Sequence, residues 1–247
     1  MDGVTDMLAG QIGRFALVDE ETVNEIYIWG ECVMTRQEQK MVKELRGAID
    51  QNLKSVSKLY GFKTVSGCAY KVIDGFLYEV YISAPPIKRG TAINADVSVK
   101  PCAIDDAFWE VYHMQEIAQK KPLSFHITAA HAPYPHTIEK MEIPVRSMAE
   151  ACEALDEALR LSDMRIEQHR NCCSTIADFK AELAGEASPT DRLNTVLCEI
   201  VEGNYQSALL LSEKESEIDR HALFVKVTDH GLKSIYEYVK EFCKERM

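Results

Sequence analysis

Three of the seven histidines lie within eleven residues of one another, at His126, His131 and His136. Neutral imidazole is the commonest metal ligand in proteins and the side chain best suited to acid–base catalysis near neutral pH. A spacing of five places neighbouring histidines on opposite faces of a strand, and no Asp or Glu lies between them to complete a ligand set. We therefore expect no bound metal or cofactor and interpret the segment as an exposed loop. The alternative is an enzyme or small-molecule-binding protein with a pocket near these three histidines.

Two other groups of residues are capable of chemistry. Cys172 and Cys173 follow His169 closely, and a cationic neighbour lowers the pKa of a thiol and so activates it. Adjacent residues of a helix point about 100° apart, so we expect one cysteine to pack in the core and the other to be partly exposed. Asp105, the first of two adjacent acids, stands at the start of a predicted helix, where a carboxylate interacts favourably with the helix dipole.

Aromatic side chains are concentrated in the segment that follows the first predicted helix. Four of them are candidate binding residues: Tyr78, Tyr81, Trp109 and Tyr112. Tyrosine and tryptophan are enriched at protein interfaces, so a sheet face that carries them would form a binding surface. The other interpretation is a core whose edge contains tyrosine hydroxyls.

The charge balance points to an acidic surface. The chain contains 28 basic and 39 acidic side chains, a net charge of −11, and residues 147–247 alone contribute 12 basic and 20 acidic ones. An acidic surface repels phosphate backbones, so we do not expect nucleic acid as a partner. The leading hypothesis is a non-enzymatic protein–protein interaction module whose acidic surface binds a basic protein partner.

The compartment follows from the absence of targeting features in the sequence. No apolar stretch approaches the roughly 20 residues that a membrane helix needs, and residues 1–10 lack the basic start and apolar middle of a signal peptide. We therefore expect a cytoplasmic protein that does not associate with membranes. In that compartment the eight cysteines are expected to be free thiols.

The elements that must position these residues begin with a long helix. Thr35 and Glu38 form a capping-box pattern, and an apolar stripe continues as far as Tyr60, before Gly61. After it, Asp74-Gly75 predicts a two-residue hairpin between two strands. Alternating residues over 91–99 predict a third antiparallel strand, in a sheet with one solvent-facing side.

Later segments predict a change from strands to helices. We expect a helix over 104–119, strands over 123–128 and 138–143, and helices through most of the remaining chain, including one over 229–244. Strands followed by helices indicate the α+β class: an antiparallel sheet packed on a long helix, followed by a helical C-terminal region. The expected organisation is an α+β domain over residues 1–146 and a helical region over 147–247.

The segment from Lys43 to Trp109 carries a family resemblance. It combines an amphipathic helix, the sequence Leu59-Tyr60-Gly61-Phe62-Lys63, a tyrosine-bearing strand, a hairpin and the alternating strand 94–99. In these features it resembles the bacterial domain-of-unknown-function family 4304. The resemblance implies an α+β domain and no catalytic residues.

Overall fold

The fold is given by a computed structural model that describes residues 27–29, 32–87, 90–114, 116, 126–127, 132–184, 188–218, 224–228 and 231–247. The described elements are, in chain order, β1 (Tyr27–Trp29), β2 (Cys32–Met34), α1 (Arg36–Leu59), β3 (Lys63–Val65), β4 (Cys68–Ile73), β5 (Phe76–Ser83), β6 (Pro86–Ile87), β7 (Gly90–Pro101), α2 (Cys102–Val111), β8 (His136–Val145), α3 (Met148–Arg170), α4 (Ile176–Leu183), α5 (Pro189–Val201), α6 (Tyr205–Ile218), β9 (Val225–Thr228), β10 (Gly231–Ser234) and α7 (Ile235–Lys244). These elements confirm the predicted α+β class and the helical C-terminal region.

The central sheet contains six strands, and all of its pairings are antiparallel. Strands β3, β4, β5 and β7 are neighbours in that order, and β7 also pairs with β6 and β8. The predicted hairpin is confirmed, because Ile73 pairs with Phe76 across Asp74 and Gly75, whose φ angles are 51° and 82°. Two consecutive positive φ angles are typical of a type I′ turn, which matches the twist of the flanking strands.

Two long helices pack against each other and cover one face of the sheet. The N-terminus of α1 has the predicted capping box between Thr35 and Glu38, and its apolar stripe is buried. Helix α3 contacts α1, β7 and β8. On β5, Tyr78 points to this helical side, where its ring contacts His169 of α3. One apolar cluster contains residues from both parts of the chain, so the sheet and the C-terminal helices share a core.

The opposite face of the sheet is only partly the solvent-facing side that was predicted, because Tyr81 is exposed on it while the residues near α2 are covered. Glu79, Ser98 and Lys100 alternate with the apolar residues of β5 and β7, yet they are at most 8% exposed. Helix α2 explains this burial, because it follows β7 directly and places Asp105 against Lys100. A polar sheet face that becomes covered must pair its charges.

Three predicted elements are corrected by the structure. The helix over 104–119 ends already at Val111, and His113 beyond it has a positive φ of 53°. The strand over 123–128 is wrong at His126 and Ile127, which are helical, and its other residues lie outside the described ranges. The last helix begins at Ile235, because Gly231–Ser234 instead pairs with Val225–Thr228 as a short hairpin. Short apolar runs fit either a strand or a helix, so periodicity could not separate the two in the latter two elements.

Two expectations about compartment can be compared with the described residues. Their helices include none long and apolar enough to span a membrane. All seven cysteines whose side chains are described are free thiols, as predicted. Cys173 is buried and Cys172 is exposed, which confirms the expected division between the two neighbours.

Candidate functional site

Three histidines each pair with a carboxylate that lies far away in the sequence. His126 pairs with Asp105, His136 with Asp191 and His169 with Glu182, over sequence separations of 21, 55 and 13 residues. A carboxylate at one ring nitrogen fixes the orientation and tautomer of an imidazole. The three pairs differ in burial and in the access that a substrate would have to them.

The first pair belongs to a buried ionic network on the covered sheet face. Asp105 Oδ1 lies 2.9 Å from Lys100 Nζ, and its Oδ2 lies 2.6 Å from His126 Nδ1. Lys100 also donates to the carbonyl oxygen of Pro133 at 2.8 Å, and the ring of Trp109 packs edge-on against His126. The side chains of Lys100 and Asp105 are completely buried. The sequence predicted that Asp105 interacts with the dipole of its helix, but its main contacts are with Lys100 and His126.

Glu79 lies beside this network and is less well satisfied. Its carboxyl group is buried, and Oε1 has no hydrogen-bond partner among the described residues. Burial raises the pKa of Glu79 to about 7; the charge of Asp105 adds to this rise, and Lys100 opposes it. Because the groups of this network are so deeply enclosed, we regard it as part of the structural core rather than as a site open to substrate.

The second pair lies in an open cleft of about 1070 Å³. We call it the His136 cleft; its walls are formed by the start of β8, the residues before it and the start of α5, namely Tyr134, Pro135, His136, Thr137, Ile138, Glu139, Lys140, Ser188, Thr190 and Asp191. The amide of Asn194 joins the two walls, since its Nδ2 donates to the carbonyl oxygen of Tyr134 at 3.0 Å. Volumes of several hundred cubic ångströms or more are typical of small-molecule sites.

Hydrogen bonds position the histidine of this cleft. His136 is the first residue of β8, and its Nδ1 lies 2.8 Å from Asp191 Oδ1. Ser188, the N-cap of α5, donates from its hydroxyl to the other carboxylate oxygen of Asp191 at 2.6 Å. Because an ionised carboxylate only accepts, Nδ1 carries the proton, and the neutral ring presents the lone pair of Nε2. Among the described residues Nε2 has no hydrogen-bond partner.

The electrostatics of the dyad favour a protonated histidine. The hydrogen bond to Asp191 raises the pKa of His136; partial burial opposes this effect, and the charges of Asp191 and Glu182 reinforce it. Burial acts to raise the pKa of Asp191, but the hydrogen bonds from His136 and Ser188 outweigh it, so that pKa is lowered. The carboxylate therefore stays ionised while His136 gains and loses its proton, which suits a general acid–base group.

The cleft does not contain the arrangement of a serine nucleophile. In a catalytic triad the serine hydroxyl bonds to the histidine, and the acid bonds to the opposite ring nitrogen. Here the hydroxyl of Ser188 bonds to Asp191 instead. The geometry therefore supports proton transfer at His136 Nε2 and not the formation of a covalent intermediate on Ser188.

The four candidate aromatic binding residues do not share one surface. Trp109 and Tyr78 are buried, at 0% and 1% exposure, and Tyr78 donates toward His169. Tyr112 is partly buried and stacks on Phe108, whereas Tyr81 is 53% exposed on the other side of its strand from Tyr78. Tyr78 and Trp109 are therefore core residues, as the second interpretation of the aromatic cluster predicts. Tyr81 is the only one of the four with an exposed ring.

The three histidines of the segment 126–136 likewise do not form one site. His126 lies in the core network, His136 lies in the cleft, and His131 lies outside the described residues. Asp191, the residue that makes His136 a candidate, was not identified from the sequence. A signal was present, since Ser188-Pro189-Thr190-Asp191 is a helix-start pattern, but nothing in it indicates a histidine partner.

Comparison with known proteins found no matching family, no similar curated protein and no similar solved structure. The resemblance of residues 43–109 to family 4304 therefore stays a prediction.

Proposed function

We propose that the protein is an enzyme that binds a small polar molecule in the His136 cleft and uses His136 as a general base. The observation that carries this proposal is the His136–Asp191 dyad, which lines a cleft wide enough for a substrate and leaves Nε2 without a partner among the described residues. This proposal corresponds to the alternative drawn from the sequence, an enzyme with a pocket near the three histidines. It requires a carboxylate beside one of these histidines.

The cleft residues define the class of substrate and the direction of the pH dependence. Lys140 is exposed at the cleft wall and is available to an anionic group, while Thr137 and Thr190 offer hydroxyls. A general base must be unprotonated, so the rate should rise as the pH increases through the pKa of His136. Because Asp191 and Glu182 raise that pKa, the rise should lie above the range of an ordinary histidine.

Substitution of His136 tests the proposal. The wild-type chain should turn over at least one member of a panel of small chromogenic carboxylic and phosphoric esters, in which water is activated by a base. His136→Gln should reduce kcat/KM by at least about 100-fold, the lower end of what a positioned general base contributes. Initial rates measured from pH 5 to 9 would show whether the wild-type rate rises with pH.

The matched control is His113→Asn. His113 is exposed, lies outside the cleft and has a positive φ of 53°, a conformation that asparagine accepts. The control should keep the wild-type rate. Turnover that survives in His136→Gln, or no turnover of any ester by the wild type, would contradict a role for His136 as the base in ester hydrolysis.

A second candidate function is the binding of a basic protein through α6. Leu210, Glu213 and Glu217 form an exposed stripe on this helix, and Ile218 is exposed beside it, so an apolar surface lies next to acidic groups. Two further acids follow the same segment: Glu215 is buried against Arg192, and Asp219 lies outside the described residues.

The acidic stripe can be tested by its salt dependence. A lysine-rich peptide should associate with the wild type more slowly as salt increases, and Glu213→Lys/Glu217→Lys should lower its association rate. Glu142→Lys/Glu153→Lys, at exposed positions of β8 and α3, is the matched control, because it changes the net charge equally. Equal losses in both variants would indicate a general charge effect and not a docking face on α6.

We further propose that the protein acts in the cytoplasm and does not bind nucleic acid. The free thiols of the described cysteines support a reducing compartment. The net charge of −11 opposes binding to a phosphate backbone.

A further inference from the structure

A cysteine lies beside the third histidine–carboxylate pair. The three side chains together have the composition of a metal site. His169 Nε2 lies 2.8 Å from Glu182 Oε2, and the thiol of Cys173 lies close to both. One ligand atom from each of the three residues falls within 4.8 Å of the other two. His169 and Cys173 are buried, and Glu182 is partly exposed, so the group is enclosed on one side and open on the other.

Local backbone structure fixes the spacing of these three residues. His169 is in the last turn of α3, and the backbone amide of Cys173 donates to the carbonyl oxygen of His169 at 2.8 Å. Helix α4 then starts with a capping box between Thr175 and Asp178, which places Glu182 near its end and beside His169. The ligand atoms are thus positioned by helix termini and a hydrogen-bonded turn.

A buried residue of the sheet orients the histidine from behind. The Tyr78 hydroxyl lies 3.2 Å from His169 Nδ1, and its ring packs edge-on against the imidazole. Histidines that bind metals almost always engage their second ring nitrogen in such a hydrogen bond. Tyr78 gives His169 this partner and leaves Nε2 beside Glu182, with Cys173 close to both residues.

We propose that His169, Cys173 and Glu182 together bind one zinc ion. Sulfur, imidazole nitrogen and carboxylate oxygen are the three protein ligand types of zinc, and a thiolate disfavours magnesium and calcium. Three protein ligands leave a fourth tetrahedral position, on the side where Glu182 reaches solvent. This proposal departs from the sequence-based expectation of no metal, and it does not depend on the function proposed for His136.

Zinc binding requires a defined rearrangement of protons. Cys173 must bind as the thiolate, so its proton is released to solvent. The proton on His169 Nε2 must also leave that nitrogen, and a proton on Nδ1 keeps the imidazole neutral. The Tyr78 oxygen then accepts the hydrogen bond from Nδ1, which a phenylalanine at position 78 could not do.

Cobalt(II) is the probe for this site, because it occupies zinc sites and reports thiolate ligation by a charge-transfer band in the near ultraviolet. The full-length chain, purified without a histidine tag, should develop this band to saturation at one equivalent of cobalt. One equivalent of zinc should then abolish it. No thiolate band, or a stoichiometry well above one, would overturn the proposal.

Single substitutions test which side chains bind the metal ion. Cys173→Ser should abolish the band and Glu182→Gln should weaken cobalt binding by at least about 100-fold, more than the loss of an outer-sphere contact. Tyr78→Phe should weaken it by about 10-fold. Cys172→Ser is the matched control, because that cysteine is adjacent but exposed, and it should bind cobalt as the wild type does.

Two further measurements decide the proposal if Cys173→Ser does not fold or if the esterase activity is lost. If Cys173→Ser does not fold, as judged by circular dichroism, then Glu182→Gln decides, because this partly exposed side chain can be replaced without opening the core. Unchanged cobalt affinity in Glu182→Gln would overturn the proposal. His136→Gln should keep the band, so loss of esterase activity and loss of metal binding are separate results.

Discussion

Asp105→Ala is expected to lower the free energy of unfolding by about 3–5 kcal/mol, the usual cost of breaking a buried ion pair by removing one partner. Asp105 forms an ion pair with Lys100 and a hydrogen bond with His126, and the side chains of Lys100 and Asp105 are fully buried. Alanine would leave the Lys100 ammonium group in the core with only the carbonyl oxygen of Pro133 as a described partner. Urea denaturation would measure the loss as a lower midpoint at constant slope.

The double variant Lys100→Met/Asp105→Leu is the control for this prediction. It removes both charges and keeps most of the apolar volume, and such replacements of buried pairs are often neutral or stabilising. We expect it to recover most of the stability that Asp105→Ala loses. A double variant as unstable as the single one would mean that the cost comes from lost packing or from the buried His126 ring that Asp105 no longer pairs, and not from the unpaired Lys100 charge.

Glu79→Gln is expected to raise the stability at pH 8 by up to about 3 kcal/mol. Folding raises the pKa of Glu79 from 4.5 to about 7, and each pKa unit corresponds to about 1.4 kcal/mol. A carboxyl group with a raised pKa in the folded state binds its proton more tightly there than in the unfolded chain. The wild type therefore loses stability between pH 4.5 and 7, as the buried carboxyl group ionises.

The pH dependence separates this effect from a change in packing. Below pH 4.5 the carboxyl group is protonated in both states, so Glu79→Gln and the wild type should have similar stabilities. The difference should appear as the pH rises to 7 and then stay constant. Glu153→Gln, at an exposed position of α3, should change stability by less than about 0.5 kcal/mol at every pH. A gain from Glu79→Gln that is equal at pH 4 and pH 8 would contradict ionisation as the cause.

The buried ionic network and the His136–Asp191 dyad differ in their exposure to solvent. Lys100, Asp105 and Glu79 are enclosed between the sheet and α2, where they influence stability. His136 and Asp191 pair at the boundary between β8 and α5, where the cleft is open to solvent. Similar residue types therefore have different roles, because burial determines which of them can exchange protons with a ligand.

The sequence by itself determined the elements whose causes are local. The capping box at Thr35, the apolar stripe of α1 and the Asp74-Gly75 turn each depend on residues a few positions apart, and all three are present. The α+β class followed from the order of these patterns. Alternation over 91–99 correctly predicted a strand, because the side-chain period of a strand is a property of its own backbone.

Only the tertiary structure decided what covers each element and which distant residues meet. The alternation of β7 predicted a solvent-facing side but could not show that α2 would cover part of it, where Ser98 and Lys100 are buried. The carboxylate partner of His136 comes from 55 residues away, at the start of another helix. Such pairings depend on how whole helices pack on the sheet, and no local pattern of residues encodes that packing.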